Sequence, residues 1–318
     1  MEIQLEKRVS AGGERVKIAV AVCTFKRNDL LARLLTSLEA AARQVADQAE
    51  VGVALVDDTP EGQARPVAEA FADRFGLGLA YAISGKKNIS LARNLALETA
   101  IGMADWTAMT DDDCEVPSHW LEAMLAAQQS TGAQAVTGRM VRRVPEGSPK
   151  WIVDEPFLEL GVDEWPDGAE LTSAATFNTM ISNEWLKRHS DVRFDPHFGV
   201  IGGEDMVFFR AAHAAGLTIR YAKQGFVYEN EPADRATLAY QLYAYFWHGN
   251  SAALSSMQSG VSRGRMTVHA GASLARAFLR PVKRLASGQK PQLRFTLAQI
   301  LHATGKGLGT FGLRVEHR

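Results

Sequence analysis

Met109-Thr110-Asp111-Asp112-Asp113-Cys114 sets three consecutive carboxylates directly after a short apolar run, Trp106 to Met109. Adjacent anions repel unless something positive joins them. A hard divalent cation does so well, because Mg²⁺ or Mn²⁺ takes one or two carboxylates together with the oxygens of a bound diphosphate. The plain alternative is a solvated acidic turn ahead of the next helix, with Pro117 in its first turn. A second acid pair, Glu204-Asp205, follows Gly202-Gly203, and a third, Asp57-Asp58, follows the apolar run Val51 to Val56. Paired acids at a helix start can stabilise its amino end. They can also move protons, and the two glycines before Glu204 suggest that another group approaches the backbone there.

These residues need a scaffold, and strands and helices alternate through the first half. Lys17 to Cys23 reads as a strand, after which Leu30, Leu31, Leu34, Leu35 and Leu38 recur at helical spacing behind Asn28, a candidate cap. Val51 to Val56 is a second strand, with a helix expected over 64–74. Leu79 to Ile83, Trp106 to Met109 and Ala135 to Thr137 read as further strands, with helices over 90–100 and 120–128. Such alternation predicts an α/β fold, a mostly parallel sheet with helices on both faces. Carboxylates at strand carboxyl ends then overlook the ligand crevice. Residues 141–175 read as one long loop and Phe177 to Ile181 as a strand, followed by helices over 184–189 and 206–214.

The chain of 318 residues, 46% hydrophobic, can bury a large core plus an appendage. Cys23 and Cys114 are far apart, which fits a reducing compartment and gives no zinc spacing. No secretory signal is read in the first residues, and no apolar run reaches the roughly 18 residues of a membrane span. A cytoplasmic enzyme is expected, with no nucleic acid as partner.

The net charge of −1 hides an asymmetry. From Gly260 onward, eleven Lys or Arg face one acid, Glu316, so this tail carries +10 and the remainder −11. Within it, Leu274, Phe278, Pro281, Val282 and Leu285 share one helical arc, with Arg276, Arg280, Lys283 and Arg284 opposite. That pattern suits an interfacial helix on an anionic membrane, with Pro281 kinking it or splitting it in two. It also suits an ordinary helix packed on the domain with a solvated basic face.

The series Thr24-Phe25-Lys26-Arg27, Asp57-Asp58-Thr59, Ala92-Arg93-Asn94, Asp111-Asp112-Asp113 and Gly202-Gly203-Glu204-Asp205 resembles glycosyltransferase family 2, and within it the bacterial enzymes of succinoglycan-type exopolysaccharide assembly. The resemblance runs in order from about Lys17 to Asn250. It implies a GT-A type nucleotide-sugar-binding domain over 17–235, with an amino-terminal extension over 1–16 and a basic helical extension over 236–318. It implies inverting transfer from a UDP-sugar, with GDP or dTDP as alternatives, to a saccharide or lipid-linked acceptor. Thr24, Phe25, Lys26 and Arg27 then lie where the family holds the nucleobase. Asp57 could accept a uracil imide proton or simply hold a turn with Pro60.

Arg93 and Asn94, opening a helix, suit a diphosphate, although an exposed cation is the ordinary fate of such an arginine. By family pattern Asp111 goes to the ribose side, Asp113, with Asp111, to the metal, and Asp112 stays ambiguous beside the nucleotide. Asp205 becomes the general base, and Glu204 shapes its hydrogen bonding or the acceptor pocket. Many relatives place a metal-binding histidine late in the domain, whereas this chain has Tyr228-Glu229-Asn230. Glu229 reads as its substitute or as leaving that position to water. Asn178 reads as lining a sugar pocket or as a buried amide. Two rival classes remain at this level. A sugar nucleotidyltransferase would want a Gly-rich phosphate loop after the first strand, and a non-catalytic carbohydrate-binding scaffold would need neither Asp113 nor Asp205.

Overall fold

The computed structural model describes residues 15–159 and 165–315. Nearly all of the extension read over 1–16 lies outside the described residues, as do Glu316 and Arg318. Strand β1 (Val16–Thr24) is followed by α1 (Asn28–Gln44), β2 (Ala49–Asp57), α2 (Arg65–Ala70), β3 (Leu79–Ile83), α3 (Ile89–Met103) and β4 (Trp106–Met109). β1 pairs in parallel with β2 and β4, and β2 with β3. Alternate residues of β1 enter two different cores. Ile18, Val20 and Val22 meet the leucines of α1, while Ala19 and Ala21 meet Ala92, Ala96 and Ala100 of α3. Both faces of the strand are therefore covered, as its near-continuous apolar sequence requires.

Beyond β4 the sheet ceases to be uniform. A short β5 (Cys114–Glu115) precedes α4 (Trp120–Thr131), β6 (Ala135–Thr137), β7 (Met140–Arg143), α5 (Trp151–Asp154), β8 (Glu170–Leu171) and β9 (Thr179–Ser182). Then come α6 (Asn183–Arg188), α7 (Glu204–Ala214), β10 (Ile219–Tyr221), β11 (Val227–Asn230), α8 (Leu238–Gln258), α9 (Arg263–Ala286) and α10 (Leu293–Thr310). The main sheet has the order β3-β2-β1-β4-β9-β6-β10-β8, and a small sheet the order β5-β11-β7. β9 runs antiparallel to both β4 and β6. The sheet is thus mostly parallel in its first half and mixed in its second.

Several local expectations need correction. Asn28 is the first residue of α1 rather than its cap, and its amide donates to Gln63 O. The helix over 64–74 ends at Ala70, because Phe71 and Arg74 turn to bonds three residues back, which tighten the chain out of the α form. Pro117 precedes α4 by a turn in which its carbonyl accepts the Trp120 N–H. The segment 141–175 is no bare loop, since it carries the end of β7, α5, a 3₁₀ turn at Pro156–Glu159 and β8. Phe177 belongs to another 3₁₀ turn, and its strand starts at Thr179.

The carboxy-terminal helices are built into the molecule. Phe157 packs edge-on against Tyr245 of α8 and Phe295 of α10, in a core that includes Ile152 and Ala298. α8 and α10 touch backbone to backbone, and a Cβ on Gly305 would lie 2.0 Å from Phe246 O. α9 is one helix with Pro281 inside it, so the segment 274–285 is not split in two. Its inward residues are small or slender, namely Met266, Ala270 and Ala277, whereas Phe278, Leu279, Val282 and Leu285 are each more than half exposed. No helix among the described residues is long and apolar enough to cross a membrane.

Candidate active site

Parallel pairing brings the carboxyl ends of β1, β2 and β4 to one edge, with Thr24 in register with Asp57 and Ala21 with Met109. The acidic run leaves β4 at that edge. Its turn is closed by the Cys114 N–H bonding to Asp111 O, and β11 fixes it from the far side through Asn230 N–H to Asp113 O. Cys114 is buried in the core beneath, opposite Glu229, so it packs and does not face the crevice.

Arginines compensate the three carboxylates. Arg27 donates to Asp112 Oδ1 at 3.0 Å and to Asp113 Oδ2 at 2.8 Å, and Thr24 Oγ1 donates to the other oxygen of Asp112. Arg235, between β11 and α8, stands 3.7 Å from Asp113. Arg93 donates to Asp111 Oδ1 at 3.0 Å and also pairs with Glu204. Burial opposes the charge on Arg93, but Glu204, Asp111 and Asp205 more than offset it, so this guanidinium stays protonated. Burial pushes the Asp112 carboxyl up to about 6 although Arg27 pulls against it. Asp113 is raised as well, by burial and by Asp111.

Of the loop after β1, Thr24 and Arg27 therefore reach the acidic run. Phe25 and Lys26 are exposed at its tip, with the Lys26 ammonium over the Phe25 ring and Lys26 at φ 58°. Arg93 is the cation that links the acidic run to the start of α7. Asn94 does not join it, because its amide is taken up by both backbone groups of Phe194. Asp57 also departs from expectation. It is fully buried, and its oxygens accept from Thr59 N, Thr59 Oγ1, Ala64 N and Tyr81 Oη. A carboxylate so occupied holds the turn after β2 and has no place left for a uracil imide. Asp58 differs, since its Oδ1 accepts the N–H groups of Lys86 and Lys87 while no donor among the described residues engages Oδ2. Asn178 is the buried amide, bonded to Trp120, Arg139 O and Gly225 O.

Glu204 and Asp205 open α7 behind Gly203, which adopts the left-handed φ of 87°. Glu204 is engaged by Arg93, which leaves Asp205 as the acid of the pair with no cationic partner in contact among the described residues. Its Oδ1 accepts the Met206 N–H at 2.7 Å. Burial, reinforced by Glu204, pushes its carboxyl up to about 7, where a base serves best near neutral pH. Glu229 sits against Arg142 at 2.8 Å, with Glu231 on the same guanidinium, and burial holds it up to about 7. The reading of Glu229 as a metal ligand gains no support from that pairing. Arg235 and Arg142 were not legible as site residues, because a single arginine in a Pro-Ala-Asp-Arg turn or on an edge strand carries no spacing signal.

Asp111 and Asp113 offer oxygen donors of the kind a hard cation takes. Among the described residues no three acidic, histidine or cysteine side chains converge on one point. Arginine already takes one oxygen of each, so a divalent cation here would draw most of its ligands from diphosphate oxygens and water.

Residues 19–206 match the profile of Glycosyl transferase family 2. The chain belongs to this family. The family 2 chain is 31% identical over 303 residues to the succinoglycan biosynthesis protein ExoM of Rhizobium meliloti, covering 95% of each chain. It is 25% identical over 246 residues to a glucosyl-dolichyl phosphate glucuronosyltransferase of Haloferax volcanii, covering 74% and 76% of the two. Among solved structures, S. aureus TarS 1–349 with UDP-GlcNAc superposes with a TM-score of 0.54 at 15% identity, over 93% of this chain and 92% of that one. The complex of the same protein with UDP gives 0.53 at 16%. The protein is thus a glycosyltransferase with the GT-A type fold, and neither rival class survives.

Proposed function

We propose that this transferase moves a sugar from a UDP-sugar to a saccharide acceptor with inversion, Asp205 acting as general base. The observation that carries the proposal is the bridge through Arg93, which sets the start of α7, and with it Asp205, against the acidic run at the sheet edge. The acceptor hydroxyl attacks the anomeric carbon and its proton passes to Asp205. The bond from that carbon to the diphosphate oxygen breaks, and UDP leaves. Base catalysis of this kind contributes about 10² to 10⁴ in rate, and positioning supplies much of the rest.

Asp58 takes the nucleobase role first read for Asp57, and the UDP complexes of TarS favour uridine. Thr24 and Arg27 order Asp112 and Asp113, so they support the diphosphate side of the site indirectly. Asp113, with Asp111, would hold a divalent cation, which when bound neutralises charge building on the departing diphosphate. The match to ExoM along nearly the whole chain supports a place in exopolysaccharide assembly. The exposed apolar side chains of α9, with basic residues beside them, support reversible attachment to the inner face of an anionic membrane and a lipid-linked acceptor. The catalytic unit then extends through α8 and α10, which pack with Ile152 and Phe157 in one core.

The experiment is a comparison of binding with turnover. Asp205→Asn should bind UDP as wild type does while hydrolysing UDP-glucose, UDP-GlcNAc or UDP-glucuronate at least about a hundredfold more slowly. Asp113→Asn should instead lose the gain in UDP affinity that Mn²⁺ brings. Unchanged turnover in Asp205→Asn would remove the base, and UDP affinity indifferent to Mn²⁺ in both proteins would remove the cation.

A further inference from the structure

Helix α8 lies outside the matched family region, yet it meets the turn that carries the acid pair. Gly202 has φ 78° and Gly203 φ 87°, both left-handed. A Cβ on Gly202 would fall 2.4 Å from Cζ2 of Trp247, and one on Gly203 would fall 2.2 Å from Oγ of Ser255. Two successive backbone positions are therefore in contact with side chains about two helical turns apart on α8. Ser255 is fully buried and its hydroxyl is fixed to Ser251 O at 2.6 Å. Nearly two turns into α7, Arg210 donates to Ser256 Oγ at 3.3 Å. Behind α8 stands α10, touching it through Gly249 and Gly305 with no side chain between the backbones. The turn before Asp205 is thus pressed from one side by a rigid helical pair and tied on the other by Arg93.

We infer that Trp247 and Ser255 of α8 are positioning residues for Asp205, so that the carboxy-terminal helices complete the active site. The Gly-Gly sequence follows from this. Any side chain at 202 or 203 would displace α8 from the turn, and the left-handed backbone would be strained as well. The consequence for chemistry is geometric. A base displaced by about 1 Å loses about a hundredfold in rate, whereas nucleotide held at the other strand ends is unaffected.

This inference rests on the reading of Asp205 as the base, and the test separates the two. Hydrogen exchange by mass spectrometry, UDP calorimetry and UDP release from a UDP-sugar in water are measured for wild type, Trp247→Ala, Trp247→Phe and Asp205→Asn. In Trp247→Ala the amides over 202–207 should exchange at least about tenfold faster, those over 18–24 and 108–114 should not change, and UDP affinity should stay within about twofold. UDP release should fall at least about tenfold, and Trp247→Phe should recover most of both effects. Wild-type exchange over 202–207 in Trp247→Ala would overturn the inference. So would faster exchange throughout the protein with loss of UDP binding, which would mark Trp247 as general core. Should Trp247→Ala not fold, Ser255→Ala must show the same local loosening, and its absence overturns the inference equally. Full turnover in Asp205→Asn alongside local loosening in Trp247→Ala would instead refute the base and leave the contact with α8 standing.

Discussion

Arg93 donates to Asp111 at 3.0 Å while its other terminal nitrogen pairs with Glu204, so one guanidinium joins the loop after β4 to the first turn of α7. Lysine carries the same charge but cannot span two carboxylates with a planar fork. Arg93→Lys should therefore keep the fold and lose at least about tenfold in turnover, with the larger loss in kcat and a smaller change in UDP affinity. Steady-state kinetics with calorimetry checks this, and a change confined to UDP affinity would return Arg93 to the diphosphate role alone.

Asp57 and Asp58 should separate cleanly. Asp57→Ala leaves several buried donors without an acceptor and should cost at least about 2 kcal/mol in stability, read by denaturant unfolding. Asp58→Asn keeps an oxygen for the Lys86 and Lys87 N–H groups, so it should unfold like wild type while binding UDP at least about tenfold more weakly. Equal UDP affinity in Asp58→Asn and wild type would dismiss Asp58 as the base-recognising acid.

The same two residues show what the sequence could and could not tell. Strand alternation and the acidic run were legible, because buried apolar periodicity and clustered charge are local patterns. Which of two neighbouring acids turns inward was not, since adjacent residues of a strand point to opposite faces and the facing depends on what closes the turn. Thr59, Ala64 and Tyr81 closed it around Asp57. The direction of β9 was equally hidden, as a period of two is common to parallel and antiparallel strands. Arg235 reaches Asp113 only through the fold. The glycine pair did announce a close approach, and α8 supplied it.

Burial beside Glu204 raises Asp205 to about 7, with two pH dependences of opposite sign. Turnover needs the ionised carboxylate, so kcat for donor hydrolysis should fall about tenfold per pH unit below 7 and level off above it. Stability behaves conversely. The native state keeps a proton that the unfolded chain has released above about pH 4, so this contribution is complete below about 4 and is lost as pH rises through 7. Thermal unfolding followed over that window should show the loss in wild type and not in Asp205→Asn, and parallel profiles would contradict it.

Phe278, Leu279, Val282 and Leu285 stand out from α9 while Arg276, Lys283 and Arg284 flank them. Full-length protein should sediment with phosphatidylglycerol-containing vesicles at low salt and be released as salt rises. Truncation is a poor test, since it removes Phe295 and Ala298 from a core shared with Phe157. Phe278→Asp with Val282→Asp touches only exposed positions and should weaken binding at least about tenfold at unchanged stability. Vesicle binding equal to wild type in that variant would place the apolar face of α9 elsewhere than on lipid.

Inversion through a single displacement is the core of the proposed mechanism, and it can be read without knowing the acceptor. Wild-type protein is incubated in water with Mn²⁺ and an α-linked UDP-sugar, and proton NMR records the first anomer released before mutarotation mixes the two. The β anomer should appear first, at a rate that collapses in Asp205→Asn. Initial release of the α anomer would contradict single displacement, and with it the place assigned to Asp205.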